Sequence, residues 1–467
     1  MRQTHFALAM LTAAVLSACG GGNGTSPEEQ KLATTFSSMV SFGDSLSDVG
    51  TYAVGSIKLA GGGKFTINGD NTATSATLTG KNWTELMAKQ FGLPAPCAAQ
   101  TGLDGNAAAG FSAAVLDHPE CLSYAQGGAR VSNPYGPENK VTGSAFGFLT
   151  KPVVEQVTRH LAKTGGKFSG TEVVFVTAGG NDALAQLGQM QAGAKAAGEA
   201  AGAAEGARVA AETFVTTLVS LLAQTADNPQ TAGQAIGTAV AIESQNPART
   251  TQSIINVAVA NAMAQPGATE LQDPLVAGSI VAKSQTTAEA AGAAAGLVAG
   301  QKAGAAYAAA QAPAMVAAMG VAGAELAGIV KTMIVAKGAN YVVVNNLPDL
   351  GGSPASKAQD AATQTLIKTM VTTFNTQLKA GVAGETKVVY VDLWATSHDQ
   401  ILNPAPYGLT NTSTAACTVK SLVCTGKTLI TGDVSHFMFA DDVLPTPYEN
   451  TLIAKYVAEQ MILKGWL

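Results

Sequence analysis

Four short apolar runs punctuate the chain, each ending where glycine or polar residues begin: Ser38 to Phe42, Glu172 to Thr177, Tyr341 to Asn345, and Val388 to Leu393. Runs of this length without alternation predict strands buried on both faces of a parallel sheet. Between them lie patterns with helical spacing, such as Trp83 to Phe91 and Ala361 to Lys379, and a last apolar helix is predicted over Leu452 to Ile462. Strands alternating with helices give an α/β fold, an open parallel sheet covered on both faces. Ligands in such sheets bind at the carboxyl ends of the strands.

The pattern breaks between the second and third strands. Residues 183–337 form a long Ala- and Gly-rich insertion with helical spacing, in which Lys195 with Glu199 and Arg208 with Glu212 fall at i,i+4. Pro229, Pro247, Pro266 and Pro274 divide it into pieces. Two stripes recur at every fourth residue: Gly198, Gly202 and Gly206, then Gly292, Gly296, Gly300 and Gly304. Glycine at that spacing lets two helix backbones approach closely, which predicts a helical hairpin or a cap over the site; an Ala-rich surface insertion without a role is the alternative. Lys302 argues against a membrane span there.

The chain has 467 residues, 47% hydrophobic and 13% charged, with a formal net charge of -5, so it has material for a core and no basic field for nucleic acid. An apolar run from Phe6 to Leu16 follows Arg2 and is too short to span a bilayer, as suits a secretory signal. It ends in Leu16-Ser17-Ala18-Cys19, which resembles the lipobox of bacterial lipoproteins. That resemblance implies cleavage before Cys19, lipidation of its thiol, and attachment to the cell envelope; Gly20 at the next position resembles the outer-membrane sorting default. The residues that follow, up to 36, read as a flexible tether. Of the five cysteines, Cys97, Cys121, Cys417 and Cys424 then remain for an oxidising compartment, and pairing of sequence neighbours, Cys97 with Cys121 and Cys417 with Cys424, is the expected connectivity.

The segment Gly43-Asp44-Ser45-Leu46-Ser47-Asp48-Val49-Gly50 places a serine directly after the first strand, where a hydroxyl projects above the sheet and backbone N–H groups face the same space. It resembles the first block of the SGNH (GDSL) hydrolase family in its lipolytic esterase/lipase branch. Three further segments resemble family blocks in the same order: Ser123-Tyr124-Ala125-Gln126-Gly127-Gly128-Ala129-Arg130, Thr177-Ala178-Gly179-Gly180-Asn181-Asp182, and Val343-Val344-Asn345-Asn346-Leu347-Pro348-Asp349-Leu350-Gly351. The resemblance implies a flavodoxin-like three-layer domain over 37–467. It also implies Ser45 as nucleophile, an oxyanion hole built from the amides of Ser45 and Gly128 and the Asn181 side chain, no metal or organic cofactor, and a carboxylic ester as substrate.

The last block departs from the family. Where Asp-x-x-His followed by Pro-Thr is expected, this chain reads Asp441-Asp442-Val443-Leu444-Pro445-Thr446, so Asp441 matches and Leu444 stands in the place of the catalytic base. Leucine cannot take or return the serine proton, and loss of a triad member costs several powers of ten in rate. Asp433-Val434-Ser435-His436 has the same spacing upstream and makes His436 the alternative base; His398 is a further candidate, while His118 and His160 have no evident partner. The sequence therefore supports either an impaired serine esterase of the cell envelope or a catalytically silent binding scaffold.

Overall fold

The computed structural model describes residues 34–467. The signal segment, Cys19 and the tether up to residue 33 lie outside the described residues. Phe36, the last residue of the expected tether, belongs to the folded body: it is 3% exposed and packs edge-on against Phe91 and Tyr341 at 4.9 and 5.3 Å.

A parallel sheet of four strands forms the centre: β1 (Met39–Gly43), β4 (Val173–Thr177), β5 (Tyr341–Asn345) and β6 (Val388–Val391), in the order β1-β4-β5-β6. The fourth apolar run ends sooner than its sequence suggests, because Asp392 caps a helix, α8 (Leu393–Leu402), and takes Leu393 out of the strand. On the other side of β1 the stretch from Leu122 to Gln126 adds parallel hydrogen bonds, Ser41 N to Leu122 O, Tyr124 N to Ser41 O and Gln126 N to Gly43 O. An antiparallel pair, β2 (Gln100–Asp104) with β3 (Ser112–Asp117), and a small pair, β7 (Asn411–Ala415) with β8 (Phe437–Phe439), lie outside this sheet.

Successive side chains along each strand point to opposite faces of the sheet, and helices cover both. Val40, Phe42, Val174, Val176, Val342 and Val344 belong to one core with α2 (Val153–Lys163), the end of α6 (Pro274–Ile329) and α7 (Ala361–Val382). Met39, Val173, Phe175, Val343, Val389 and Val391 face the other way, onto α1 (Trp83–Gln90) and α9 (Pro447–Leu463). Fully burying side chains of this kind stabilises by about 1.5–3 kcal/mol each.

The insertion is helical: α3 (Gly180–Ala223), α4 (Pro229–Ser244), α5 (Thr251–Met263) and α6. Pro229 and Pro274 occupy helix starts, where a missing N–H costs nothing, and Pro247 and Pro266 sit in the connections. Helices α3 and α6 run antiparallel with their glycine stripes in register. A Cβ on Gly198, Gly202 or Gly206 would stand 2.9, 2.8 or 3.0 Å from the carbonyl oxygen of Gly300, Gly296 or Gly292. The expected hairpin is therefore present. At its far end Phe214, Leu218, Leu222, Ile236, Val240 and Leu271 form a separate small core. By length and composition α3 and α6 could each cross a bilayer, yet they pair with each other, and Met315, Met319, Leu326 and Ile329 of α6 join the core of the sheet.

Candidate functional site

Strands β1, β4 and β5 end level, with Gly43, Thr177 and Asn345 paired in register, and the loops that follow them meet there. Together they line a cleft of about 350 Å³, within the range of small-molecule sites. Its walls include Ser45, Gly128, Asn181, Asp441 and Leu444, five positions singled out in the sequence and spread over some 400 residues of chain. The remaining lining is mostly apolar, with Phe65, Phe146, Phe148, Leu184 and Leu422 prominent, and Glu138, Lys420 and Asp442 add charge.

The serine loop is held from beneath. A Cβ on Gly43 would lie 2.3 Å from Thr177 O, so only glycine allows β1 to end this close to β4. Gln156, buried on α2, accepts from Gly43 N and donates to Gly43 O, both at 2.8 Å, fixing the peptide two residues before Ser45. Asp44 N donates to Thr177 O, and Leu46 N to Asp44 Oδ1. Burial, with Asp182 nearby, pushes the Asp44 carboxyl up to about 7.

The N–H groups of Asp44, Leu46, Gly127 and Ala129 all donate within the protein, whereas among the described residues the N–H groups of Ser45 and Gly128 have no protein acceptor. Gly128 lies at φ +80, and a Cβ there would meet Pro137 O at 2.6 Å, so the position demands glycine. Asn181 sits in the first turn of α3, whose positive end points at the cleft through Gly180. Its Nδ2 donates to Ala129 O at 2.9 Å, which uses one of its two hydrogens. Next to it, Asp182 accepts from Arg130 Nε at 2.9 Å and Val131 N at 3.0 Å, tying the glycine loop to the helix start. Burial raises the Asp182 carboxyl, with Arg130 opposing.

The fourth wall is the C-terminal loop. Asp441 Oδ1 accepts from Val443 N and Leu444 N at 3.1 and 2.9 Å, and its Oδ2 accepts from Ser421 N at 2.9 Å. Ser421 lies inside the loop closed by the Cys417–Cys424 disulfide; Cys97 and Cys121 form the other, so both expected pairs are present. The second disulfide thus braces the cleft wall that orients Asp441.

None of the four described histidines lines the cleft. His436 meets Ser435 Oγ through Nδ1 at 2.9 Å and packs on Tyr448, and Asp433 accepts from Ser435 N, so the upstream Asp-x-x-His forms a turn outside the cleft lining. His398 pairs with Asp349 Oδ2 at 2.7 Å and stacks on Trp394, behind the wall made by Leu347, Pro348 and Leu350. His118 meets Thr101 Oγ1, and His160 is buried beside Tyr124 and Phe42, where burial pushes it down to about 4. The cap idea also fails in detail: of residues 183–337, only Leu184 reaches the cleft.

Reading the sequence missed Gln156, Asp48, Tyr52 and Asp182, which hold the site from outside it. For Gln156 the one signal is a polar residue between Val153 and Val157 on a buried helix face; Asp48 and Asp182 stand inside the quoted segments with no role assigned to them. Comparison of the chain with family models gives no match, and comparison with curated proteins gives none.

Proposed function

We propose that this chain is a cell-envelope hydrolase of carboxylic esters on the SGNH (GDSL) scaffold, impaired because Leu444 occupies the place of the general base. The observation that carries the reading is the convergence of Ser45, Gly128, Asn181, Asp441 and Leu444 on one cleft, with the Ser45 and Gly128 N–H groups left without a protein acceptor among the described residues. The strand order, with Leu122–Gln126 outside β1 and then β4, β5 and β6, supports a flavodoxin-like scaffold of this kind.

In this proposal Ser45 Oγ attacks the acyl carbonyl. The Ser45 and Gly128 amides and the second hydrogen of Asn181 Nδ2 receive the oxyanion, each donor being worth about 3 kcal/mol in the transition state. An imidazole at position 444 would take the serine proton and return it to the departing alkoxide, with Asp441 beside it. Leucine does neither, so turnover in the unaltered chain is limited to what binding and the anion cradle supply. The phenylalanine and leucine walls favour an ester with an uncharged, apolar acyl or alcohol part. Cys19, as the lipidated first residue, would hold the cleft at the outer membrane.

Replacing Leu444→His is expected to raise hydrolysis of a p-nitrophenyl ester by about a hundredfold or more. No gain in a folded variant would reject position 444 as the base. The lack of any described histidine in the cleft favours a second reading, a silent ester-binding scaffold. On that reading Leu444→His binds ester and does not turn it over.

A further inference from the structure

A backbone amide cannot be aimed by its own side chain, and glycine has none, so the direction of the Gly128 N–H must be set by what grips its peptide. That peptide joins Gly127 to Gly128. It carries the Gly127 carbonyl on one side and the Gly128 N–H on the other, and the two point in opposite directions because every described peptide bond is trans. Whatever holds the Gly127 oxygen therefore sets the direction of the Gly128 hydrogen.

Tyr52 Oη holds it, donating to Gly127 O at 2.7 Å. The residue is 0% exposed; its ring stacks on Phe148 at 4.2 Å and meets Phe65 edge-on at 6.0 Å, and both phenylalanines line the cleft. On the preceding peptide Asp48 Oδ2 accepts from Gly127 N at 2.9 Å, while Asp48 Oδ1 accepts from Gly50 N and Thr51 N. Gly127 is thus gripped at its N–H and its C=O by two residues of the serine loop. A hydrogen bond to a carbonyl also polarises the amide across the same peptide and strengthens its N–H as a donor.

We propose that Tyr52 is a positioning residue for the oxyanion hole: its hydroxyl orients and polarises the Gly127–Gly128 peptide so that the Gly128 N–H faces the oxyanion formed at Ser45. The inference rests on the ester-hydrolase reading above. Burial raises the Tyr52 phenol well above its ordinary value, so it stays a donor at any pH the protein meets.

The test is Tyr52→Phe, which keeps the ring against Phe148 and Phe65. In unliganded, ¹⁵N-glycine-labelled protein, the Gly128 amide proton is expected to move upfield when the hydroxyl is lost. In the Leu444→His background, kcat on p-nitrophenyl butyrate is expected to fall about tenfold with KM within about twofold. An unmoved Gly128 resonance overturns the proposal whether or not the protein is an esterase. A moved resonance with unchanged kcat overturns the link to the oxyanion. If Leu444→His alone shows no turnover, position 444 falls as the base and the kcat comparison with it, and the Gly128 resonance alone decides whether Tyr52 orients and polarises this peptide. Should Tyr52→Phe not fold, difluorotyrosine encoded at position 52 keeps the hydroxyl and strengthens it as a donor. The Gly128 proton should then move downfield, and a static resonance would overturn the proposal.

Discussion

Three carboxyl groups buried without a cation beside them set the behaviour of single residues with pH. Burial pushes Asp48 up to about 6, Asp44 to about 7 and Glu449 to about 8, the last with its Oε2 lacking a hydrogen-bond partner. A carboxyl whose pKa is higher in the folded state binds its proton more tightly there. Its stabilisation is complete below the unfolded value near 4 and is lost as pH rises through the folded value. His160, pushed down to about 4, acts in the opposite sense, but only below its unfolded value of 6.5. The protein should therefore gain on the order of 3 kcal/mol between pH 9 and pH 6.5, roughly two-thirds of it from Glu449, seen as a melting temperature higher by several degrees. Glu449→Gln should flatten that slope. A melting temperature that is constant or falls over this range would contradict the account. None of this was visible in the sequence, because Glu449 sits in the first turn of a helix, where an exposed acidic residue is ordinary.

At the scale of elements, the strands and the glycine-striped hairpin were legible because each rests on a local pattern: valine runs for the sheet, a four-residue small-side-chain period for the helix pair. The hairpin's position was not legible. The stripe records that two helices touch and says nothing about what lies beneath them, so the expected cap proved to reach the cleft only through Leu184. Helix α3, at about 1.5 Å per residue, is on the order of 65 Å long and carries the distal core at its far end, where Phe214, Leu218 and Leu222 pack away from the sheet. Gly202→Leu would place a side chain against Gly296 O, where even a Cβ stands 2.8 Å away. Overpacking of this kind costs about 1–3 kcal/mol. Hydrogen exchange at Leu218, Leu222 and Ile236 should quicken by about ten- to a hundredfold, with β1 and β4 unaffected. Equal loss of protection in the sheet, or none anywhere, would refute the separation of the two cores.

In the whole molecule, five positions from four segments meet at the carboxyl ends of three strands, and that convergence could be anticipated only from segments that resemble a family's blocks, since no local pattern brings Asp441 and Ser45 to one cleft. The positions of the two motifs were likewise beyond spacing: Asp433-x-x-His436 and Asp441-x-x-Leu444 are equally spaced, and only the fold shows that Leu444 lines the cleft while His436 packs against Tyr448. The residues that brace the site, Gln156, Asp48 and Tyr52, act through backbone atoms of distant glycines and leave no mark on the sequence around those glycines.

The proposed hydrolase requires Ser45 to be a competent nucleophile that lacks only a proton acceptor. The most direct measurement is the rate at which an alkyl fluorophosphonate modifies the protein, followed by mass spectrometry of the peptide that carries Ser45. Leu444→His should accelerate modification at Ser45 by about a hundredfold over the unaltered chain, and Ser45→Ala should abolish it. An unchanged rate in the folded variant, or label on another serine, would show that Ser45 is not a nucleophile waiting for a base at position 444.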